Sequence, residues 1–248
     1  MKQFYFLCGL PRAGNTLLAS LINQNKNVTI TANSILADIL FDIYKLYNHE
    51  IFLNFPDKKS LQNVSKNVFN NYYSDWKANI IIDRSTWGTP MNLFILKEIF
   101  ENLKFIILYR PVLECLASFV KLVKPNDIQN YCDQIMSEEG IIGKNLWSIK
   151  NIINSKEKYQ IVHYGNLILN PEKEIKNIFN FLNIKYQKLK FKNIKQLKIN
   201  NIEYNDEIIE MPNLHKIRTK DIKKSKYDIK KILPEEIIKK YEFLDLKI

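Results

Sequence analysis

The sequence predicts an α/β fold: a three-layer α/β/α arrangement with a central, mostly parallel sheet and helices on both faces. Three observations predict it. Short apolar runs at Phe4 to Cys8, Asn79 to Asp83, Lys104 to Tyr109 and Tyr159 to His163 have the composition of strands covered on both faces. Each is followed by a stretch with apolar residues at helical spacing, so strands and helices alternate through most of the chain. Glycine- and arginine-bearing turns fall directly after the strand ends, where open parallel sheets receive their ligands.

The first run enters the turn Gly9-Leu10-Pro11-Arg12-Ala13-Gly14, after which Leu17, Leu18, Leu21 and Ile22 recur at helical spacing from Asn15 onward. Gly9 and Gly14 can take backbone angles closed to other residues and let a ligand approach the main chain. The amides around Gly14 to Thr16 then stand at a helix N-terminus, which binds anions through its free N–H groups and the positive end of the dipole. The spacing Gly9-x-x-x-x-Gly14-x-Thr16 is nearly that of the nucleoside-triphosphate P-loop, and the expected fold is accordingly P-loop NTPase-like. The position that should be lysine is Asn15, which argues against an ordinary kinase or ATPase. The cation sits inside the turn instead, at Arg12, behind the stiffening Pro11.

Val28 to Ile30 reads as a short strand, and Ser34 to Tyr47 as a helix with Ile35, Ile39, Asp42, Ile43 and Leu46 on one face. A turn at Pro56-Asp57 precedes a helix from Leu61 to Trp76, with Val64, Val68 and Tyr72 spaced for burial. The strand Asn79 to Asp83 ends at the loop Arg84-Ser85-Thr86-Trp87-Gly88. Pro90 opens a helix carrying Leu93, Leu96 and Ile99, and Lys104 to Tyr109 is the clearest strand. Arg110-Pro111 breaks it and starts a helix with Leu113, Leu116, Ala117 and Val120 inward. Gln129 to Ile153 is helical in pattern with one or two breaks. After the strand Tyr159 to His163, Asn170-Pro171-Glu172 begins a helix through Leu182 with Ile175, Ile178 and Phe179 inward. Periodicity weakens from about Lys185 to Lys226, and a last helix begins near Pro234-Glu235-Glu236. The expectation is a single domain over residues 1–248, of which 185–248 is less regular.

A chain of 248 residues can bury one sizeable core, and 46% hydrophobic with 25% charged residues is the composition of a soluble globular protein. Met1-Lys2 leads almost at once into the first strand, leaving no room for a secretory signal, and no run approaches the roughly 18 to 20 apolar residues of a membrane span. Cys8, Cys115 and Cys132 are odd in number, far apart and in apolar surroundings, which predicts buried free thiols and no metal site. A cytoplasmic protein is expected. The net charge of +11 is concentrated toward the C-terminus, in amphipathic patterns such as Ile229 to Leu244. It reads as solvated helix faces, so no nucleic-acid partner is expected.

Arg110 stands at the end of the strongest strand and Ser118 about two helical turns further on. In a three-layer fold both can face the crevice that receives the Gly9 to Thr16 loop. A second fixed cation near a phosphate loop points to a ligand with two separated anionic groups.

At these residues the chain resembles the sulfotransferases. Gly9 to Leu18 is similar to their 5′-phosphosulfate loop, usually Pro-Arg/Lys-Ser-Gly-Thr-Thr. Lys104 to Arg110 followed by Leu116-Ala117-Ser118-Phe119 resembles their 3′-phosphate segment. Tyr164-Gly165-Asn166-Leu167 with Asn170-Pro171-Glu172 resembles the family's Tyr-Glu-Asp-Leu…Asn-Pro-Glu segment, and Ile82-Asp83-Arg84 falls where many members have a lysine-bearing loop. The likeness covers residues 4 to about 184, in order and near the usual spacing.

The resemblance implies the donor 3′-phosphoadenosine 5′-phosphosulfate and transfer of a sulfuryl group to a hydroxyl or amine of a small-molecule, glycan or peptide acceptor, without a metal. By position it implies Pro11, Arg12, Ala13, Gly14, Asn15 and Thr16 around the 5′-phosphosulfate, Arg110 and Ser118 at the 3′-phosphate, and Tyr164 near the adenine. Arg12 and Arg84 are the residues it implies for catalysis. The sequence departs from the family where Ala13 and Asn15 replace hydroxyl residues and where no acid stands in Thr31 to Ser34. The general base stays open among Asp38, His49, Glu50 and Asp83, or none at all, and the basic stretch Leu214 to Lys220 is a cover over the nucleotide's 3′-phosphate, a site for an acidic acceptor or a solvated loop. Two other readings stand beside transfer: a P-loop small-molecule kinase and a non-catalytic nucleotide-binding relative.

Overall fold

A computed structural model describes residues 2–217, 222, 223, 225 and 227–246. Five strands form one sheet: β1 (Gln3–Gly9), β2 (Val28–Ile30), β3 (Ile80–Arg84), β4 (Lys104–Tyr109) and β5 (Lys158–His163). Their order is β2-β3-β1-β4-β5, and every neighbouring pair is parallel. All strands therefore end on one edge, and β1 is central because Phe4 to Cys8 is apolar enough to be covered on both sides. Leu7 lies opposite Arg84 on β3, and Gly9 lies opposite Leu108 on β4. That register brings the turns after β1, β3 and β4 together.

The helices are α1 (Asn15–Ile22), α2 (Leu36–Lys45), α3 (Glu50–Asn54), α4 (Lys58–Tyr72), α5 (Pro90–Ile99), α6 (Val112–Val123), α7 (Ile128–Met136), α8 (Gly143–Asn154), α9 (Tyr164–Leu169), α10 (Pro171–Leu182), α11 (Ile229–Ile232) and α12 (Glu235–Tyr241). One face of β1 carries Phe6, which packs against Phe69 of α4, Trp87, Phe100 and Phe105. Tyr5 points the other way, and its hydroxyl donates to the Leu182 carbonyl at the end of α10, 2.6 Å away. Alternation along one strand thus fastens helices to both faces.

Two helix faces differ from the expectation. On α2 the buried row is Leu36, Ala37 and Leu40, whereas Ile35 and Leu46 are 53% and 46% exposed. On α4 the inward residues are Ser65 and Phe69, followed by Tyr73, with Val64 exposed. Both rows have helical period. The bulk of Phe69 selects between them, because it fits the aromatic cluster of Phe4, Phe6 and Phe100. The short α3 and α9 were not expected, since a helix of one or two turns carries too few residues to show a period. Residues 185–228 hold a single isolated bridge, Ile199 to Ile202, among the described residues.

Cys8, Cys115 and Cys132 are buried and unpaired, as expected. Burial pushes their thiols up to about 11, 12 and 11 respectively, so all three are protonated and unreactive near neutral pH. No described helix is long and apolar enough to cross a membrane.

Candidate active site

The turn after β1 is built by its own backbone. Leu10 N–H donates to Leu108 O at 3.0 Å, fixing the turn to β4, and Ala13 N–H donates to Leu10 O at 3.1 Å. Asn15 folds its side chain back so that Nδ2 also donates to Leu10 O, at 2.8 Å. This leaves no room at Gly9, where a Cβ would lie 2.0 Å from Asn15 Oδ1. Gly9→Ala is expected to push Asn15 off Leu10 and destabilise the fold by about 1–3 kcal/mol, read as a lowered midpoint of denaturant unfolding.

Arg12 and Gly14 both have left-handed backbones, with φ of 67° and 98°. Such a backbone costs a residue with a Cβ roughly 1–2 kcal/mol, and here it aims the Arg12 side chain across the sheet edge. Gly14 is the N-cap of α1, with no side-chain cap and no acid in the first turn. The first amides of α1 are thus left for an anion.

Arg12 Nε donates to Ser118 Oγ of α6 at 3.1 Å, and Nη1 donates to the Leu214 carbonyl at 3.2 Å. Arg110, 2% exposed, pairs through Nε with Glu114 at 2.9 Å and donates through Nη1 to the Arg12 carbonyl at 3.0 Å. Its guanidinium lies 4.2 Å from the centre of the Tyr164 ring and 5.1 Å from that of Tyr227. Tyr227 hydroxyl donates to Ser118 Oγ at 3.1 Å, so Ser118 links the two arginine stations. Arg84 enters from β3 and donates to Asn33 Oδ1, the Gly9 carbonyl and Asn145 Oδ1 at 3.1–3.3 Å.

Arg110 Nη2 and Arg84 Nε are buried and make no hydrogen bond among the described residues. A buried guanidinium N–H without a partner is uncommon and marks a place where a ligand atom can be accepted. Burial also lowers the Arg84 pKa, the sign of a cation held away from water.

One crevice is lined by Pro11, Arg12, Gly14, Asn15, Thr16, Arg84, Arg110, Ser118 and Tyr164. Every residue expected around the donor reaches it except Ala13, whose side chain is fully buried in the core. Asn15 reaches the wall, but its amide group braces the turn. None of Asp38, His49, Glu50 or Asp83 lines the crevice. Asp83 is fully buried and accepts hydrogen bonds from the Tyr73 hydroxyl and Trp87 Nε1, and His49 caps α3. The four expected bases are therefore corrected: β3 alternation turns Asp83 away from Arg84, and the other three lie on or beside α2 and α3.

Asn33 and Tyr227 line the crevice and were not expected there, and His215 lines it as part of the stretch for which a cover over the nucleotide was one reading. His215 lies in the basic Leu214 to Lys220 stretch, of which Arg218 to Lys220 are outside the described residues. Its ring Nδ1 meets Asp206 Oδ1 at 2.6 Å. The two residues belong to an aperiodic segment, and no spacing in the sequence announces the pair.

A family model described as the sulfotransferase domain matches residues 3–244. The chain belongs to the sulfotransferase family. A curated relative, a putative protein-tyrosine sulfotransferase of Caenorhabditis briggsae, is 23% identical over 197 residues, covering 75% of this chain and 67% of that protein. The sulfotransferase domain from the curacin biosynthetic pathway is similar over 100% of this chain and 93% of its own, with TM-score 0.56 and 16% identity. Mouse sulfotransferase SULT7A1, solved with PAP, is similar over 98% and 83%, with TM-score 0.53 and 13% identity. The sulfotransferase fold is thus shared along the whole chain, and the order β2-β3-β1-β4-β5 sets its arginine-bearing loops on one edge of the sheet.

Proposed function

We propose that this sulfotransferase moves a sulfuryl group from 3′-phosphoadenosine 5′-phosphosulfate to a hydroxyl of its acceptor. The observation that carries the reading is the pair of cation stations in one crevice, Arg12 at the N-terminus of α1 and Arg110, whose Nη2 has no partner among the described residues, joined through Ser118. Two fixed cations match a nucleotide bearing anionic groups at both ends of its ribose.

In this reading Arg12, Gly14, Asn15 and Thr16 hold the 5′-phosphosulfate, Arg110 and Ser118 the 3′-phosphate, and Tyr164 flanks the nucleoside. Arg12 and the α1 amides meet the negative charge that grows on the bridging oxygen as its bond to sulfur breaks. They are placed before the reaction and need no reorganisation during it. Arg84 steadies the sulfuryl oxygens in transit.

Residues 1–248 act as one catalytic unit, in the cytoplasm, on a small-molecule, glycan or peptide acceptor. Three unpaired cysteines support a reducing compartment. No Asp or Glu lines the crevice among the described residues, so the side chains there supply no carboxylate for the magnesium of a kinase. This favours transfer over phosphorylation.

The test is transfer of label from the ³⁵S-labelled donor to a panel of acceptors, beginning with tyrosine peptides and simple phenols because the curated relative is named for protein tyrosine. Label is expected to appear in at least one hydroxyl acceptor. Tight donor binding with no transfer to any member of a broad panel would favour a non-catalytic nucleotide-binding protein.

A further inference from the structure

We infer that His215, held by Asp206, takes the proton from the acceptor hydroxyl during transfer, an assignment that rests on the sulfotransferase reading above. The segment after α10 places this imidazole where the sheet edge offers no other base. Among the described residues lining the crevice, His215 is the one imidazole or carboxylate.

The ring is fixed on several sides. Asp206 accepts the His215 backbone N–H at 2.7 Å through Oδ2 and meets ring Nδ1 at 2.6 Å through Oδ1. An ionised carboxylate can only accept, so Nδ1 carries a proton, and in the neutral ring Nε2 then keeps its lone pair. Tyr204 stacks on the imidazole, centroids 4.3 Å apart and planes 20° apart. The Tyr204 hydroxyl is in turn held by the N–H groups of Ala32 and Asn33, at 3.0 and 3.1 Å, beyond the end of β2. Gln196 clamps the backbone, donating to His215 O and accepting from Ile217 N–H, both at 2.8 Å. Nε2 has no hydrogen-bond partner among the described residues.

His215 also lines a second cleft together with Tyr204, Asp206 and Glu207.

The charged groups facing the ring are Asp206 and Glu207 on its own segment, Arg84 at the end of β3 and Arg12 in the turn after β1, with Lys216 beside it, and the neutral Tyr204 phenol lies against its face. Burial lowers the imidazole pKa first. Asp206 opposes that, and the two arginines add to it. The ring is therefore neutral at neutral pH, the form a base requires.

The acceptor O–H proton passes to Nε2 while the acceptor oxygen forms its bond to sulfur. The bond from sulfur to the bridging phosphate oxygen breaks, and its electron pair leaves with 3′-phosphoadenosine 5′-phosphate. Asp206 is a positioning residue that also stabilises the imidazolium formed.

His215→Asn keeps an N–H for Asp206 and removes Nε2. Its kcat for ³⁵S transfer to 4-methylphenol is expected to fall about 10²- to 10⁴-fold, with unchanged calorimetric binding of 3′-phosphoadenosine 5′-phosphate. With 4-nitrophenol, largely ionised near pH 8, the loss should shrink to a few fold. The wild-type rate should fall as pH drops through the lowered imidazole pKa, and Asp206→Asn should move that limb to lower pH while leaving nucleotide binding intact. Transfer to 4-methylphenol by His215→Asn at the wild-type rate would overturn the assignment. Nitrogen-15 spectra decide it even if no phenol is accepted: the chain has three histidines, and His215 must show the Nδ1–H tautomer at neutral pH. An Nε2–H or doubly protonated ring there would overturn it, whereas wild type that binds donor without any transfer contradicts the function proposed above.

Discussion

Arg12→Gly is expected to lower sulfuryl transfer about 10³-fold or more while the protein stays folded, measured as single-turnover release of label from the ³⁵S donor. The expectation follows from two features of the residue. Its guanidinium is held toward the crevice by Ser118 Oγ and the Leu214 carbonyl, and its backbone stands at φ 67°. Glycine adopts that conformation without strain, so the variant removes the cation without distorting the turn. Alanine would remove the cation and keep the strain, making it the poorer probe. Arg12→Lys keeps a charge but loses the planar fork, and it should recover only part of the rate. A Gly variant that transfers at the wild-type rate would remove Arg12 from the chemistry.

Arg110→Ala is expected to act on binding instead. Arg110 differs from the α1 amides in role: its Nη2 has no partner among the described residues and is open to a ligand oxygen, while Nε and Nη1 are occupied by Glu114 and the Arg12 carbonyl. Removing it takes away a buried, hydrogen-bonded cation and leaves Glu114 without its partner, so the Kd for 3′-phosphoadenosine 5′-phosphate should rise about 100-fold or more. At saturating donor, kcat should change little, because no charge develops at the 3′-phosphate during transfer. Some stability is also lost through Glu114, and unfolding midpoints measured alongside separate that loss from the binding effect. Equal losses in kcat and in binding would contradict the division of labour between the two arginines.

Much of the strand and helix order was legible because its causes are local. The strand Lys104–Tyr109 is read directly from its apolar run and its termination at Arg110-Pro111, and α10 from the proline that opens it and the row Ile175, Ile178, Phe179, Leu182. The turn from Gly9 to Gly14 was legible because few sequences besides an anion loop need glycines at that spacing before a helix. Which of two adjacent rows on α4 is buried was not, since Val64 and Val68 satisfy the same period as Ser65 and Phe69. Only the shape of the aromatic cluster on the sheet distinguishes them.

The site shows the same division. Arg12, Arg84 and Arg110 converge because each stands at or just beyond a strand end, a position the α/β pattern dictates, and Ser118 joins them from two turns into α6. Ala13 stands in the same turn yet faces the core, which follows from the left-handed Arg12 and Gly14 on either side of it. His215 and Asp206 come from a stretch with no period, and long-range contacts through Tyr204, Gln196 and Arg12 bring them to the crevice. Pairings of that kind are a property of tertiary packing and leave no local trace.

A crevice with cation stations at both ends selects a nucleotide with anionic groups at both the 5′ and 3′ positions. Calorimetric titration of the wild type with 3′-phosphoadenosine 5′-phosphate and, separately, with magnesium–ATP tests it most directly. The two-station geometry requires the bisphosphate to bind more tightly, with the advantage lost in Arg110→Ala. Tighter binding of magnesium–ATP would contradict the account.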